Sequence, residues 1–357
     1  MFNTLKNWHR RYFTDPQAVV LTFLLLGAAL VLIFFGRMMA PLLTAIIIAY
    51  LLEAPISWME RKGVRRIIGV GCVLVLFFFL VSVGSLTVFP LLWAQILELF
   101  KELPVFIAQS QQVLLNLPER YPLISEEQVR ELVTALRVQV GNLGQYVLAL
   151  SLSSVANLIT LLVYLVLVPF LVFFLLKDKT LILHWIGGFL PQERRVARYL
   201  WRDLDLQMGN YVRGKFWEIL IVGGVTFICF TLLGVNYALL LATLTGLSVL
   251  VPYVGAVMVT FPVLLIGYFQ WGFTGELLWL LAAYGVIQAL DGNLLNPLLF
   301  ARVVNLHPVA IITAILFFGG LWGFWGIFFA IPLATLINAV LSCWPVCNNS
   351  LNCANDR

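Results

Sequence analysis

Apolar stretches cut by short polar and basic ones fill almost the whole chain. The first follows a polar, basic start, Met1 to Gln17, and occupies 18–36. It ends in Phe34-Phe35-Gly36-Arg37 rather than in a small-residue cleavage site, so it reads as a retained span. A second, shorter run at 38–52 contains Pro41 and reads as the return arm of a tight hairpin with the first. A loop carrying Arg61, Lys62, Arg65 and Arg66 leads to a third run at 67–92. A fourth at 152–176 holds Pro169, and a fifth covers 216–234. At about 1.5 Å per residue, roughly 20 residues cross a ~30 Å hydrocarbon core.

The last third of the chain breaks this rhythm. Two apolar pieces, 237–251 and 257–271, are joined by Pro252-Tyr253-Val254-Gly255-Ala256. Each reaches only about 22 Å as a helix, so the pair reads as a re-entrant helical hairpin. A full span follows at 277–300. The run at 309–340 is interrupted by Gly319-Gly320-Leu321-Trp322-Gly323-Phe324-Trp325-Gly326 and by Pro332. It is too long for one span and too broken for a straight helix, and reads as a second hairpin. The expected fold is an all-α polytopic membrane protein with about six full transmembrane helices plus two helical hairpins.

Two segments differ in character. At 93–150, four basic residues face six acids, and Val129, Leu132, Val133, Leu136, Val140 and Leu143 recur at helical spacing. Pro104, Pro118 and Pro122 divide this segment into short pieces, and it reads as a small helical domain outside the membrane. The segment 177–215 holds eight Lys/Arg and four acids. Its Arg194, Arg195, Arg198 and Arg202 share one arc of a helix, and Val196, Ala197, Leu200, Leu204 and Met208 another. Such a helix fits either the inner membrane surface or another part of the same protein. The chain therefore divides into 1–92, 93–150, 151–176, 177–215, 216–345 and a tail at 346–357.

Composition agrees with this pattern: 62% of residues are hydrophobic and 11% charged, and the mean hydropathy is +0.98. Soluble domains sit nearer 45–50% apolar and about 25% charged. The net charge of +5 is a topology signal rather than a nucleic-acid footprint, because the basic residues lie beside apolar runs. The N-terminus, the loop at 53–66 and the segment at 177–215 hold fifteen Lys/Arg and alternate as cytoplasmic, which places both termini inside.

Chemistry concentrates in 285–297, Gly-Val-Ile-Gln-Ala-Leu-Asp-Gly-Asn-Leu-Leu-Asn-Pro. Gln288, Asp291, Gly292 and Asn296 fall on one side of a helix. A lone carboxylate in a membrane segment costs about 2.5–3.5 kcal/mol on insertion scales, so it faces water, a partner or a ligand. Asp291 is the candidate binding residue for a proton, cation or polar solute, with Gln288, Asn293 and Asn296 beside it. The structural alternative ties two helices together through Asp291, for instance against Arg302. No basic residue lies in the same apolar run, which favours protonation or solvent over a local ion pair. Pro252, Gly255, Pro297, Gly319, Gly320, Gly323 and Pro332 are the candidate breaks and hinges. Interrupted helices of this kind expose backbone groups near the midplane of many secondary transporters. Glycine also permits plain close packing, as Gly319 and Gly323 could.

Other motifs carry little. Glu53, Glu218 and Glu276 stand at ends of apolar runs and read as interface residues. Gly209-Asn210-Tyr211-Val212-Arg213-Gly214-Lys215 has the glycine and lysine spacing of a phosphate loop, but Phe216 replaces the metal-binding hydroxyl and no strand precedes it. ATP as a cofactor has no support. His9, His184 and His307 form no metal spacing, nor do Cys343, Cys347 and Cys353. Cys72 and Cys229 read as small packing residues. No nucleophile motif points to an enzyme.

Several blocks resemble a known family. They are Phe174-Leu175-Leu176-Lys177-Asp178, Asn210-Tyr211-Val212-Arg213-Gly214-Lys215, Val251-Pro252-Tyr253-Val254-Gly255, Asp291-Gly292-Asn293-Leu294-Leu295-Asn296-Pro297, Asn305-Leu306-His307-Pro308 and Gly326-Ile327-Phe328-Phe329-Ala330-Ile331-Pro332. Together they resemble the autoinducer-2 exporter family over nearly the whole chain up to about Pro345, leaving Val346–Arg357 outside. The resemblance implies an integral protein of the bacterial cytoplasmic membrane that moves small solutes without ATP. Members are associated with autoinducer-2 export and others with sodium/proton exchange. It also implies a homo-oligomer, a pentamer. Where relatives often carry Glu before the block's proline, this chain has Asp291 and Asn293. The readings that stay open are a proton- or sodium-coupled transporter, a passive oligomeric channel, and a membrane scaffold acting through 93–150.

Overall fold

The computed structural model describes residues 38–115, 154–188, 195–300 and 307–343, with a few isolated positions besides. Every element among them is helical. The expected first span at 18–36, most of the amphipathic pattern at 129–143, Arg302 and the tail lie outside the described residues.

Helix α1 (Ala40–Arg61) opens with Pro41 in its first turn, where a missing N–H costs nothing. It runs nine residues past the apolar run at 38–52, so it is a 22-residue helix long enough to span rather than a short return arm. Helix α2 (Arg66–Leu115) is continuous for 50 residues, about 75 Å. Pro90 and Pro104 are absorbed inside it, so Pro104 does not divide the segment after 92. Helix α3 (Ser154–Lys177) contains Pro169 and turns by 82° into α4 (Lys179–Gly188). These first helices close around Ala45, Ile56, Val70, Val172 and Leu176. Arg66 ties their ends, donating to the Leu176 carbonyl at 2.8 Å and pairing with Glu60 at 2.9 Å and Glu53 at 3.1 Å.

Helix α5 (Arg195–Leu232) joins in one rod what the hydropathy pattern divides at 215/216. One face carries Tyr211, Lys215, Glu218 and Val222, all buried, at i, i+4, i+7 and i+11. Helix α6 (Ala238–Ser248) crosses α5 closely because Gly246 sits on Gly223: a Cβ at Gly246 would stand 3.0 Å from the Ile219 carbonyl oxygen.

The expected first hairpin is present as α6 and α7 (Val254–Trp271), separated by a turn at 249–253. Gln270 near the end of α7 accepts from the Asn236 N–H at 2.8 Å and donates to the Gly234 carbonyl at 2.7 Å. The hairpin therefore leaves by the same face it enters, and its turn is the tip. Gly255 has no room for a side chain, since a Cβ there would overlap the Ser248 carbonyl. Tyr253 holds φ +64° at the tip, a conformation that costs about 1–3 kcal/mol in a bulky residue. The far part of α2 grips the hairpin's entrance. Gln95 accepts from the Leu240 N–H at 2.9 Å, Glu102 from the Tyr237 hydroxyl at 2.7 Å, and Phe106 stacks on Phe269 with centroids 4.4 Å apart.

Helix α8 (Gly275–Leu290) continues through a π-helical turn, Asp291–Leu295, into α9 (Asn296–Phe300). The second hairpin is α10 (Pro308–Trp322) and α11 (Phe324–Cys343). His307 caps α10, its ring nitrogen accepting from the Val309 N–H at 3.3 Å. The break is the single residue Gly323, φ +60°. Gly319 and Gly320 lie inside α10 and Pro332 inside α11, so none of the three is a break. Gly319 instead packs against Ile327, and Gly326, the last glycine of the interruption, leaves no space for a Cβ beside the Phe318 carbonyl.

Candidate functional site

The buried face of α5 is where the charges meet. Lys215, Glu218 and Asp291 are 3%, 1% and 8% exposed. Lys215 Nζ lies 2.6 Å from Glu218 Oε2 and donates to the Val249 carbonyl at 2.7 Å. That carbonyl stands just past the end of α6, where helix geometry leaves acceptors without partners and the dipole favours a cation. Lys215 is thus a C-terminal cap on the hairpin's first arm. Its ammonium also sits 5.0 Å from the centre of the Phe300 ring. Gly214 lets that ring approach, since a Cβ would stand 2.6 Å from it.

Asp291 reaches the same spot from α8. Its carboxyl is within hydrogen-bonding range of the Glu218 carboxyl and feels the Lys215 charge. A hydrogen bond between two carboxyls needs a proton on one of them. With both ionised, the group carries one net negative charge beside Lys215; with one proton it is neutral. Asp291 also begins the π-helical turn, in which the Asn296 N–H bonds to the Asp291 carbonyl. Pro297 is a physical reason for it: its ring lacks an N–H and clashes with the carbonyl four residues back, so the helix widens by one residue there.

A cavity of about 570 Å³ opens beside these groups. Pro252 and Tyr253 line it from the tip of the first hairpin, Ile311 and Ile331 from the second, and Gln288 and Asn296 from α8 and α9. Gln288 Nε2 and Asp291 Oδ1 are buried; Gln288 lies within reach of the Tyr284 hydroxyl, and the Asp291 carboxyl within reach of the Glu218 carboxyl. Buried polar atoms left unpaired cost about 1–3 kcal/mol each. Gln288 and Asp291 both line the cavity, one helical turn apart.

Of the residues named from sequence, Asp291, Gln288, Asn296, Pro297 and Pro252 border this cavity. Gly255 stands one turn behind the tip. Asn293 does not belong to the site. Its side chain is exposed and folds back on the Ala289 carbonyl at 2.9 Å, since the position two residues along a helix from Asp291 lies on the opposite face. Lys215 and Glu218 were missed. Glu218 is no interface residue but the most buried carboxylate of the group, and Asp291 has a cation nearby that comes from another helix. Glu276 does sit exposed at the start of α8, as its position at a run's end suggests. Cys229 is half-buried beside the site, while Cys72 points outward rather than into packing. Among the described residues no His, Cys, Asp and Glu gather in a metal-binding group.

The sequence model of the AI-2E family transporters matches residues 21–345. The chain belongs to the AI-2E family. Relatives of this AI-2E protein include the Escherichia coli K12 protein named "Putative permease PerM", 44% identical over 346 residues, 97% of this chain and 98% of that one. Another is Bacillus subtilis "Putative transport protein YueF", 27% identical over 86% of this chain and 84% of its own length. A third, "Putative transport protein YrrI" of the same organism, is 26% identical over 84% and 85%. The AI-2E chain is therefore a multi-pass membrane protein of a transport family, with five described helices long and apolar enough to cross a bilayer, or six if α3 and α4 form one bent span.

Proposed function

We propose that the protein is an ATP-independent transporter whose small polar solute passes through the cavity between the two hairpins. The observation that carries this reading is the coincidence of a ~570 Å³ cavity lined by Gln288 and Asn296 with a buried Lys215–Glu218–Asp291 group at the tip of the first hairpin. Asp291 and Glu218 exchange a proton or hold a sodium ion, and the change in their charge alters the hold of Lys215 on Val249. Gln288 and Asn296 hydrogen-bond the solute. Pro252 and Tyr253 form the moving edge, where a strained tyrosine gives the turn a second conformation to relax into.

The protein sits in a bacterial cytoplasmic membrane with both termini inside and works as a homo-oligomer. Close approach of Arg66 to the Leu176 carbonyl and of Lys179 to Glu53 supports the orientation, since it brings both basic segments to one end of the bundle. The test is flux in proteoliposomes against a panel of small polar solutes, with and without an imposed pH or sodium gradient. A gradient-driven flux of one solute is the expected result. Flux indifferent to either gradient would favour a passive channel, and no flux for any solute a scaffold.

A further inference from the structure

A second cavity, about 210 Å³, opens at the basic end of the bundle, away from the site above. Its wall is aliphatic, with Ile46 of α1, Leu175 of α3 and Ile182 and Leu183 of α4. Its other end is polar, with Tyr50, Glu53, Lys179 and Asp205. Glu53 is already bridged, by Arg66 at 3.1 Å and Lys179 at 3.3 Å. Asp205 accepts from the Tyr50 hydroxyl at 2.8 Å but forms no ion pair among the described residues. The lining thus holds two carboxylates and one ammonium; Glu53 carries two cations, and Asp205 has the tyrosine hydroxyl and no cation among the described side chains. The cavity lies in the angle of 82° between α3 and α4. Beyond that bend α4 turns Leu181 and Trp185 outward, 69% and 66% exposed, so it runs across the end of the bundle as an interfacial helix does.

We infer that this groove is a binding site for a phospholipid with a primary-amine headgroup. The ammonium sits on Asp205 beside the Tyr50 oxygen, the phosphodiester faces Lys179 at the rim, and the start of an acyl chain lies on the aliphatic wall. The charge balance selects among lipids. An anionic headgroup finds Lys179 already engaged by Glu53 and meets the Asp205 carboxylate instead. A trimethylammonium headgroup matches in charge but has no N–H to donate. Bound lipid ties α1, α4 and α5 together, beside the Tyr50–Asp205 hydrogen bond between α1 and α5 and the Lys179–Glu53 pair between α4 and α1.

The test uses the full-length protein in nanodiscs of phosphatidylcholine alone, or with added phosphatidylethanolamine or phosphatidylglycerol, read by thermal unfolding and by lipid retained in native mass spectrometry. Phosphatidylethanolamine raises the unfolding midpoint by about 2–4 °C and is retained; the other two do neither. Asp205→Asn removes that increment. Leu183→Trp, which fills the groove and leaves the carboxylate, removes it too and serves if the first variant does not fold. Equal midpoints in all lipids, or an increment that survives both substitutions, overturns the proposal. So does lipid sensitivity that emerges only when residues 1–17 are removed, which would make the chain's own N-terminus the occupant.

Discussion

Lys215→Met lowers the stability of the purified protein by about 3–5 kcal/mol, the cost of stranding buried carboxylates without their cation. Three bonds end at once: the 2.6 Å contact to Glu218, the 2.7 Å hydrogen bond to Val249 and the stacking over Phe300. The hairpin tip loses its tether, so Tyr253 becomes more accessible to proteolysis or labelling than in the native protein. The triple change Lys215→Met, Glu218→Gln and Asp291→Asn returns most of the stability, because the charges are removed together, yet transports nothing. Thermal unfolding in detergent checks both variants. A Lys215→Met protein as stable as the native one would mean that the ammonium is dispensable to the fold.

Asp291→Asn has the opposite profile. It keeps the size of the side chain and removes one of two carboxyls competing for one ammonium, so stability holds within about 1 kcal/mol or rises. Flux falls at least about tenfold, equivalent to roughly 1.4 kcal/mol in a rate, and what remains no longer depends on pH across the range where the native protein responds. Asn293→Ala, two residues on, changes neither stability nor flux. The contrast matters, since both residues lie in one short block of sequence but stand two positions apart on a helix, on different faces. Initial rates in proteoliposomes at several pH values settle it, and a pH-dependent flux in Asp291→Asn would remove that carboxyl from the coupling step.

Much of the architecture could be read from the chain before any coordinates. Segment lengths and the Pro252–Ala256 interruption placed the first hairpin within a few residues, because apolar length and turn chemistry are local properties. The boundaries at 92/93 and 215/216 misled, since hydropathy marks where a helix leaves oil and not where it ends; α2 and α5 run straight through. The glycine cluster at 319–326 showed that a break exists but not which glycine makes it, as only Gly323 takes a positive φ. Asp291 stood out by being charged in an apolar run. Lys215 and Glu218 did not, because they fall at the edge of such a run and their partners come from α6 and α8. One signal was present: Tyr211, Lys215, Glu218 and Val222 share a helical face, an arrangement a surface stripe would not mix in this way.

The path through the molecule is tested most directly by single cysteines placed at Asn296 and at Asn293, in a protein from which the five native cysteines have been removed. A bulky hydrophilic thiol reagent attached at 296 should stop flux, since that position borders the cavity between the hairpins. The same reagent at 293 should leave flux near its starting value. If modification at 296 leaves transport untouched, or if only modification at 293 blocks it, solute does not travel past Lys215, Glu218 and Asp291.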